Sequence, residues 1–303
     1  MIPAQAMSDM SARETARHAA ARDLVHIDAR LSALVPEATA WPGKLHAAER
    51  HALLSPGKRF RPLLCIAVAR GYGVEGEAAV DAACAAEMVH AASLILDDLP
   101  CMDDADLRRD RPTTHLAYDE ATAVLAATAL LNRAFGVLMR LSAPAETRTE
   151  LGALLSHAVG SNGLIAGQVA DLANTGKTSK AEVERLNTLK TGALFDFAIM
   201  AGAVVAGADA CERDELSIFS HQLGLAFQLL DDFKDIATGN TFGKTAGRDA
   251  AKSTLIALDG EAGARHRLSE YMRLAREALE RTRLSSPVAI MGLLQAHMPR
   301  SVP

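Results

Sequence analysis

Apolar residues recur along this chain at helical spacing. Val80, Cys84, Met88, Ala91 and Ile95 follow one another at steps of four, four, three and four, which traces one face of a helix. Leu216, Phe219, Leu223, Phe227 and Leu230 repeat the pattern at steps of three, four, four and three. Both stripes predict faces turned to a core. Strand-like alternation of Val, Ile, Thr and Tyr between turn pairs is hard to find anywhere. The pattern predicts an all-α fold.

The first dozen residues are small and polar and are expected to be disordered (residues 1–12), ahead of a helix from about Ser11 to Leu34 stopped by Pro36. Residues 36–43, with Trp41 and Pro42, read as a connector. The helix carrying the first stripe should end near Asp98, because Pro100 disfavours helical geometry at Leu99, and the chain should stay irregular as far as Pro112. Further helices are expected over about Glu120 to Leu141, Glu146 to Ala158, Lys180 to Val205, Glu212 to Asp235 and Ala264 to Thr282. No fixed-period repeat is visible, but one arrangement occurs twice: an apolar-striped helix, aspartates at its C-terminal end, then a loop with basic residues.

Composition narrows the possibilities. With 303 residues, 49% of them apolar and only 4% aromatic, the chain has material for a sizeable core built from Ala, Leu, Val, Ile and Met. The net charge of -5, with no cluster of basic and aromatic residues, argues against nucleic acid as a partner. Cys65, Cys84, Cys101 and Cys211 are scattered without a paired spacing, as expected of buried or incidental thiols in a reducing compartment. Neither a leader pattern nor an uncharged apolar window of about eighteen residues stands out, so no membrane span and a cytoplasmic location are expected.

The chemistry-bearing residues lie at the ends of the two stripes. The first cluster contains Asp97, Asp98, Asp103 and Asp104; the second contains Asp231, Asp232 and Asp235. Asp235 is four residues from Asp231 and three from Asp232, so the second cluster shares one helical face. Asp97 and Asp103 would point apart on a straight helix, and a turn at Pro100 is needed to bring Asp103 back. Carboxylates at a helix C-terminus face its negative dipole end and are unfavourable unless compensated. A divalent cation compensates them, and an all-oxygen set shared with substrate phosphate and water suits Mg²⁺. Lys58 and Arg61 lie three apart at a helix start, a suitable place for an anion. Arg108, Arg109, Lys190, Lys234, Lys244 and Lys252 add further cations. Two metal-binding clusters and these cations describe a site for two diphosphates.

From about Gly57 to Leu255 the sequence resembles the trans-prenyltransferases, the polyprenyl diphosphate synthase family, and within it the bacterial carotenoid-type geranylgeranyl diphosphate synthases. The likeness rests on residues 57–62, on Glu87-Met88-Val89-His90 leading into 97–104, on Arg108-Arg109 and on Pro112-Thr113-Thr114-His115. It continues through Gly167-Gln168, Lys190-Thr191-Gly192, Phe227-Gln228 leading into 231–235, and Gly243-Lys244. The resemblance implies one synthase domain over residues 13–303, a helical bundle around a deep central cavity, and a homodimer. It implies metal ligation by Asp97, Asp98, Asp103, Asp231, Asp232 and Asp235, with three Mg²⁺ ions per site. Lys58, Arg61, His90 and Arg109 would bind isopentenyl diphosphate; Arg108, Lys190, Lys244 and Gln228 would grip the allylic diphosphate. Thr191 and Gln168 would lie near the developing cation. Two departures stand out: Asp110 where the family commonly has Gly, and Ala127-Thr128 where Gly-Asp is common.

The growing tail is expected to run beside the helix that carries Asp97. At ~1.5 Å of rise per residue, Ala92 lies roughly 7 Å and Met88 about 13 Å below the metal site. A bulky aromatic at position 92 resembles the floor of farnesyl-producing relatives, whereas Ala92, with Ser93 and Met88, leaves room for a C20 product, geranylgeranyl diphosphate. The alternatives are a farnesyl diphosphate synthase, a terpene cyclase, which would normally carry an Asn/Ser/Glu motif in place of 231–235, and a non-catalytic partner subunit of another synthase.

Overall fold

The computed structural model describes residues 4–174, 178–237 and 253–297, with side chains from residue 17 onward. Among the described residues there are thirteen α-helices, one π-helical turn and one short hairpin. In chain order the helices are α1 (Ala4–Leu34), α2 (Gly43–Leu53), α3 (Phe60–Gly71), α4 (Glu77–Asp97), α5 (Thr114–Ala117), α6 (Glu120–Met139), α7 (Ala145–Val159) and α8 (Leu164–Leu172). They continue with α9 (Lys180–Asn187), α10 (Ala193–Val205), α11 (Ala210–Ala237), α12 (Leu255–Arg281) and α13 (Pro287–His297). The helix expected from Ser11 begins at Ala4.

α4 is the central post, packed by α3, α6 and α10. All five residues of its predicted stripe are buried, and so are Ala79, Ala82, Ala83, Ala85, Ala86 and Ala92. Small side chains let neighbouring helices approach on every side, and burial of apolar surface at about 25 cal/mol per Å² holds the arrangement. In α11, Leu216, Phe219, Leu223 and Leu230 are buried, while Phe227 is half-buried at the edge of a cavity.

Three expectations are corrected. The stretch from Lys180 to Val205 is not one α-helix: α9 and α10 are joined by a π-helical turn, Thr188–Gly192. The last long helix starts at Leu255, nine residues earlier than expected, after Thr254 caps it through the Ala257 amide, and it passes through a kink at Gly260, where φ is 71°. The irregular region before Pro112 contains two short strands, β1 (Leu107–Arg108) and β2 (Arg111–Pro112), paired antiparallel.

Three helical segments, Glu77–Asp97, Glu120–Met139 and Lys180–Val205, are long and apolar enough to cross a membrane by length and composition. Each carries charged residues, among them Glu87, Arg133 and Asp196, so none contains an uncharged window of about eighteen residues. For Glu77–Asp97 the core explains this character, since 72% of its window is buried against other helices; the corresponding share for Glu120–Met139 is 39%.

Candidate active site

α4 stops at Asp97, with Asp98 as its C-cap. The chain then folds back, so that the Asp103 amide donates to the Asp97 carbonyl at 2.8 Å and the Ala105 amide to the Asp98 carbonyl at 3.2 Å. The turn after α4 therefore returns the Asp103 backbone to the level of Asp97. Asp97 lines a cavity of about 1180 Å³, and Asp231 and Asp235 of α11 line the same cavity.

Burial governs the titration of these carboxyls. It pushes Asp97 up to about 6, partly offset by the field of Lys190, and pushes Asp232 up to about 6. Asp98 and Asp231 are raised by the same cause. Buried carboxylates held at this disadvantage gain most from a nearby cation. Among the described residues no group of three or more His, Cys, Asp or Glu side chains is placed to hold an ion by itself. The donor set fits a metal whose remaining ligands come from substrate oxygens and water, the habit of Mg²⁺.

Asp98 differs from expectation. It is 3% exposed and does not line the cavity; instead the Arg108 guanidinium donates to it, with Nε 3.1 Å from Oδ1. Successive helical residues point about 100° apart, so Asp98 cannot share the face of Asp97. Its role in this structure is to hold Arg108, which does line the cavity. Burial alone would lower the Arg108 pKa, yet the bond to Asp98 and the fields of Asp98, Asp97 and Asp103 raise it.

The cationic wall opposite is built from the entry to α3. Arg59 adopts the left-handed conformation, φ 45°, just before the helix. Its buried guanidinium donates to Glu87 at 2.7 Å, Asp28 at 2.9 Å and the Ser55 carbonyl at 3.0 Å, which pins the strained turn. Lys58 and Arg61 flank it, and both line the cavity. Arg61 lies 4.2 Å from the centre of the Phe195 ring, and its buried Nε has no hydrogen-bond partner. Burial lowers the Arg61 pKa to about 10, so an arriving anion would relieve a desolvated cation. His90 lines the cavity beside it; burial, then the charges of Arg61, Arg109 and Arg108, hold its imidazole well below the usual range and keep it neutral. Arg109 sits at the hairpin tip against Gly57, where a Cβ would fall 2.5 Å from Nη1.

The third wall is the π-helical turn. Lys190 and Thr191 line the cavity from it. The Lys190 ammonium donates to Asp171 at 2.6 Å, and the Thr191 hydroxyl donates to Gln228 Oε1 at 2.6 Å. Gln228 Nε2 in turn donates to Asp232 Oδ1 at 3.0 Å, linking the turn to the second aspartate cluster. Gln168 lines the cavity with its Oε1 buried and unpartnered. Asp103, Asp232 and Gln228 are not among the lining residues, and Lys244 lies outside the described residues.

Below the polar rim the cavity is apolar. Ala92 and Ser93 line it, as expected, but Met88 does not: it is 0% exposed within the core, and Val89 holds the lower position. Counting back from Asp97 in steps of four gives Ser93 and then Val89 on the same face, whereas Met88 points to the core. Ala127, Thr128 and Leu131 of α6, Val159 of α7 and Ile165 of α8 complete the lower wall.

The sequence reading missed Asp171, Arg59 and His297. Asp171 carried a usable signal, since it lies one helical turn after Gln168. Arg59 was hidden between two other cations, and nothing local connects His297 to residues almost 240 positions earlier.

The helical bundle and its aspartate-rimmed cavity are of the isoprenoid synthase type. Solved structures with this fold include an FPP/GFPP synthase from Zymomonas mobilis, 33% identical, covering 92% of this chain and 98% of its own, TM-score 0.81. A geranyltransferase from Helicobacter pylori, complexed with magnesium and isoprenyl diphosphate, is 30% identical, covers 91% and 95%, and also has a TM-score of 0.81. A geranylgeranyl diphosphate synthase of Pantoea ananas is 46% identical over 271 residues, 87% of each chain. A farnesyl diphosphate synthase of Geobacillus stearothermophilus is 40% identical over 245 residues, 78% of this chain and 82% of its own. The polyprenyl synthetase family model matches residues 43–281, and the chain belongs to that family as a prenyltransferase.

Proposed function

We infer that the protein condenses isopentenyl diphosphate with allylic diphosphates, head to tail, and releases geranylgeranyl diphosphate. The observation that carries this reading is a single cavity with Asp97 and Asp231 at its rim and a deep apolar wall below them. Magnesium, taken as three ions per site, would be held by Asp97, Asp231 and Asp235, with Asp103 and Asp232 beside them. When bound, it neutralises negative charge as it develops on the departing diphosphate. The relatives from Pantoea ananas and Pseudescherichia vulneris, both geranylgeranyl diphosphate synthases, support the C20 product.

Each residue then has a task. Lys190 and Arg108 hold the allylic diphosphate so that the electrons of its breaking C–O bond leave on phosphate oxygen. Lys58, Arg61, His90 and Arg109 orient isopentenyl diphosphate, whose double bond attacks the allylic cation. A proton leaves the new C–C unit for the released diphosphate, so no side-chain base is required. The apolar wall excludes water that would quench the cation. Residues 13–303 would act as one domain, in a cytoplasmic homodimer.

The test offers the purified chain labelled isopentenyl diphosphate with dimethylallyl, geranyl or farnesyl diphosphate, in Mg²⁺ and in EDTA. A C20 alcohol after dephosphorylation, lost in EDTA, is the expected result. A C15 product would assign a farnesyl synthase, and no condensation in Mg²⁺ would indicate a silent partner subunit. Ala92→Tyr should shorten the product to C15, and an unchanged product distribution would remove Ala92 from the floor.

A further inference from the structure

Behind the cationic wall, α2 holds the β1–β2 hairpin through one histidine. His51, in the last turn of α2, places Nε2 2.8 Å from the Pro112 carbonyl and Nδ1 3.0 Å from Arg111 Nη2. The carbonyl only accepts and the guanidinium only donates, so a neutral ring with its proton on Nε2 satisfies both partners at once. Both partners belong to β2.

The contacts close into a ring. Arg111 Nη1 donates to the Ser55 hydroxyl at 3.1 Å, and that hydroxyl donates to the His51 carbonyl at 2.5 Å. The Ser55 carbonyl in turn accepts from Arg59 at 3.0 Å and from Arg109 Nη1 at 3.4 Å, so the same residue meets the guanidinium at the hairpin tip. His51, Ser55, Arg108 and Arg109 line one small cavity of about 30 Å³, whereas neither His51 nor Arg111 lines the large one.

The two arginines that the hairpin presents to the large cavity are not held alike. Arg108 has its own carboxylate, Asp98. Arg109 has no such partner among the described residues, and its placement depends on the Ser55 carbonyl and on how the hairpin is anchored.

We propose that His51 is a positioning residue for isopentenyl diphosphate: by clamping Arg111 and Pro112 it fixes the hairpin, and with it the place of Arg109 at the cavity wall. The proposal rests on the prenyl-transfer reading above. His51 itself acts only through the hairpin.

Three substitutions test the clamp. His51→Phe keeps a ring for its edge-on contact with Tyr118 and removes both nitrogens; His51→Gln restores a donor and an acceptor; Arg111→Met breaks the linkage from the other side. A displaced Arg109 loses a charge-assisted hydrogen bond, so His51→Phe and Arg111→Met should each raise the KM for isopentenyl diphosphate by about tenfold. The KM for the allylic substrate and kcat should move less than about threefold, because Asp98 still holds Arg108. The Gln variant should recover most of the affinity, and His51→Phe combined with Arg111→Met should be no worse than either alone, since both break one linkage. An unchanged isopentenyl KM, equal rises for both substrates, or additive losses in the double variant overturns the proposal. Should His51→Phe fail to fold, Arg111→Met on the half-buried β2 strand carries the same test. Calorimetric titration with isopentenyl diphosphate alone should show the same loss of affinity without turnover. A wild-type chain that binds this ligand, loses it in His51→Phe and never condenses it would defeat the prenyl-transfer reading and leave the positioning role standing.

Discussion

Asp97 ionises near 3.8 in an open chain and is pushed up to about 6 in the folded, metal-free protein, chiefly by burial. A carboxyl raised in this way contributes its full stability below about 3.8 and loses it as pH rises through about 6, so the folded protein carries a penalty above that point. Asp97→Asn removes the penalty. In EDTA, the melting temperature of the variant should exceed that of wild type by more at pH 7.5 than at pH 5, and an equal difference at both would show that the carboxyl is not desolvated. Mg²⁺ with inorganic diphosphate should reverse the order. Asp110 makes a second residue-scale case. It and Arg109, with φ of 60° and 54°, form the two-residue loop between β1 and β2, and left-handed geometry costs a side-chain-bearing residue about 1 kcal/mol. Asp110→Gly should raise unfolding stability by up to about 1 kcal/mol in urea titration; a loss instead would show that the carboxylate makes a compensating contact.

At the scale of elements, the π-helical turn between α9 and α10 places the Lys190 ammonium and the Thr191 hydroxyl at one cavity wall. It can lie there because α8 approaches it across Gly167, where a Cβ would stand 2.3 Å from the Lys190 nitrogen. The contact is with backbone, which cannot yield as a flexible side chain would. Gly167→Ala should therefore shift the turn and lower kcat/KM for the allylic substrate by up to about a hundredfold, a result of the size expected when a binding group is displaced by about 1 Å. Steady-state kinetics would check it, and wild-type kinetics in this variant would show that the turn is not needed in its present place. The helices themselves were legible in the sequence: both stripes face the interior, Phe227 at the cavity edge, and the breaks at Pro36 and Pro100 follow from proline geometry. The π-helical turn was not, because its residues are individually compatible with an α-helix and only the close packing of Gly167 and of Gly224 against Gly192 marks it.

At the scale of the molecule, α6 presents two different faces. Ala127 and Leu131 look into the cavity, while Val124, Leu125 and Met139 are exposed, Leu125 by 61%. Exposed apolar side chains on a long helix are where the second copy of the proposed homodimer would dock. Leu125→Glu should convert a dimer to a monomer in sedimentation velocity; a dimer that persists would put the interface elsewhere.

What the sequence determined by itself was local. It set the helical period, the residue types at each cluster, and the four-residue spacing that puts Asp231 and Asp235 on one face. These depend on neighbours within a turn or two, which chain geometry dictates. Tertiary structure alone decided that Asp97 and Asp231 share one cavity, that Asp98 serves Arg108, that Val89 and not Met88 lines the wall, and that Lys190 meets Asp171. Those outcomes depend on helix rotation and on how distant helices pack, and a rotation of one residue's worth exchanges a cavity wall for a core.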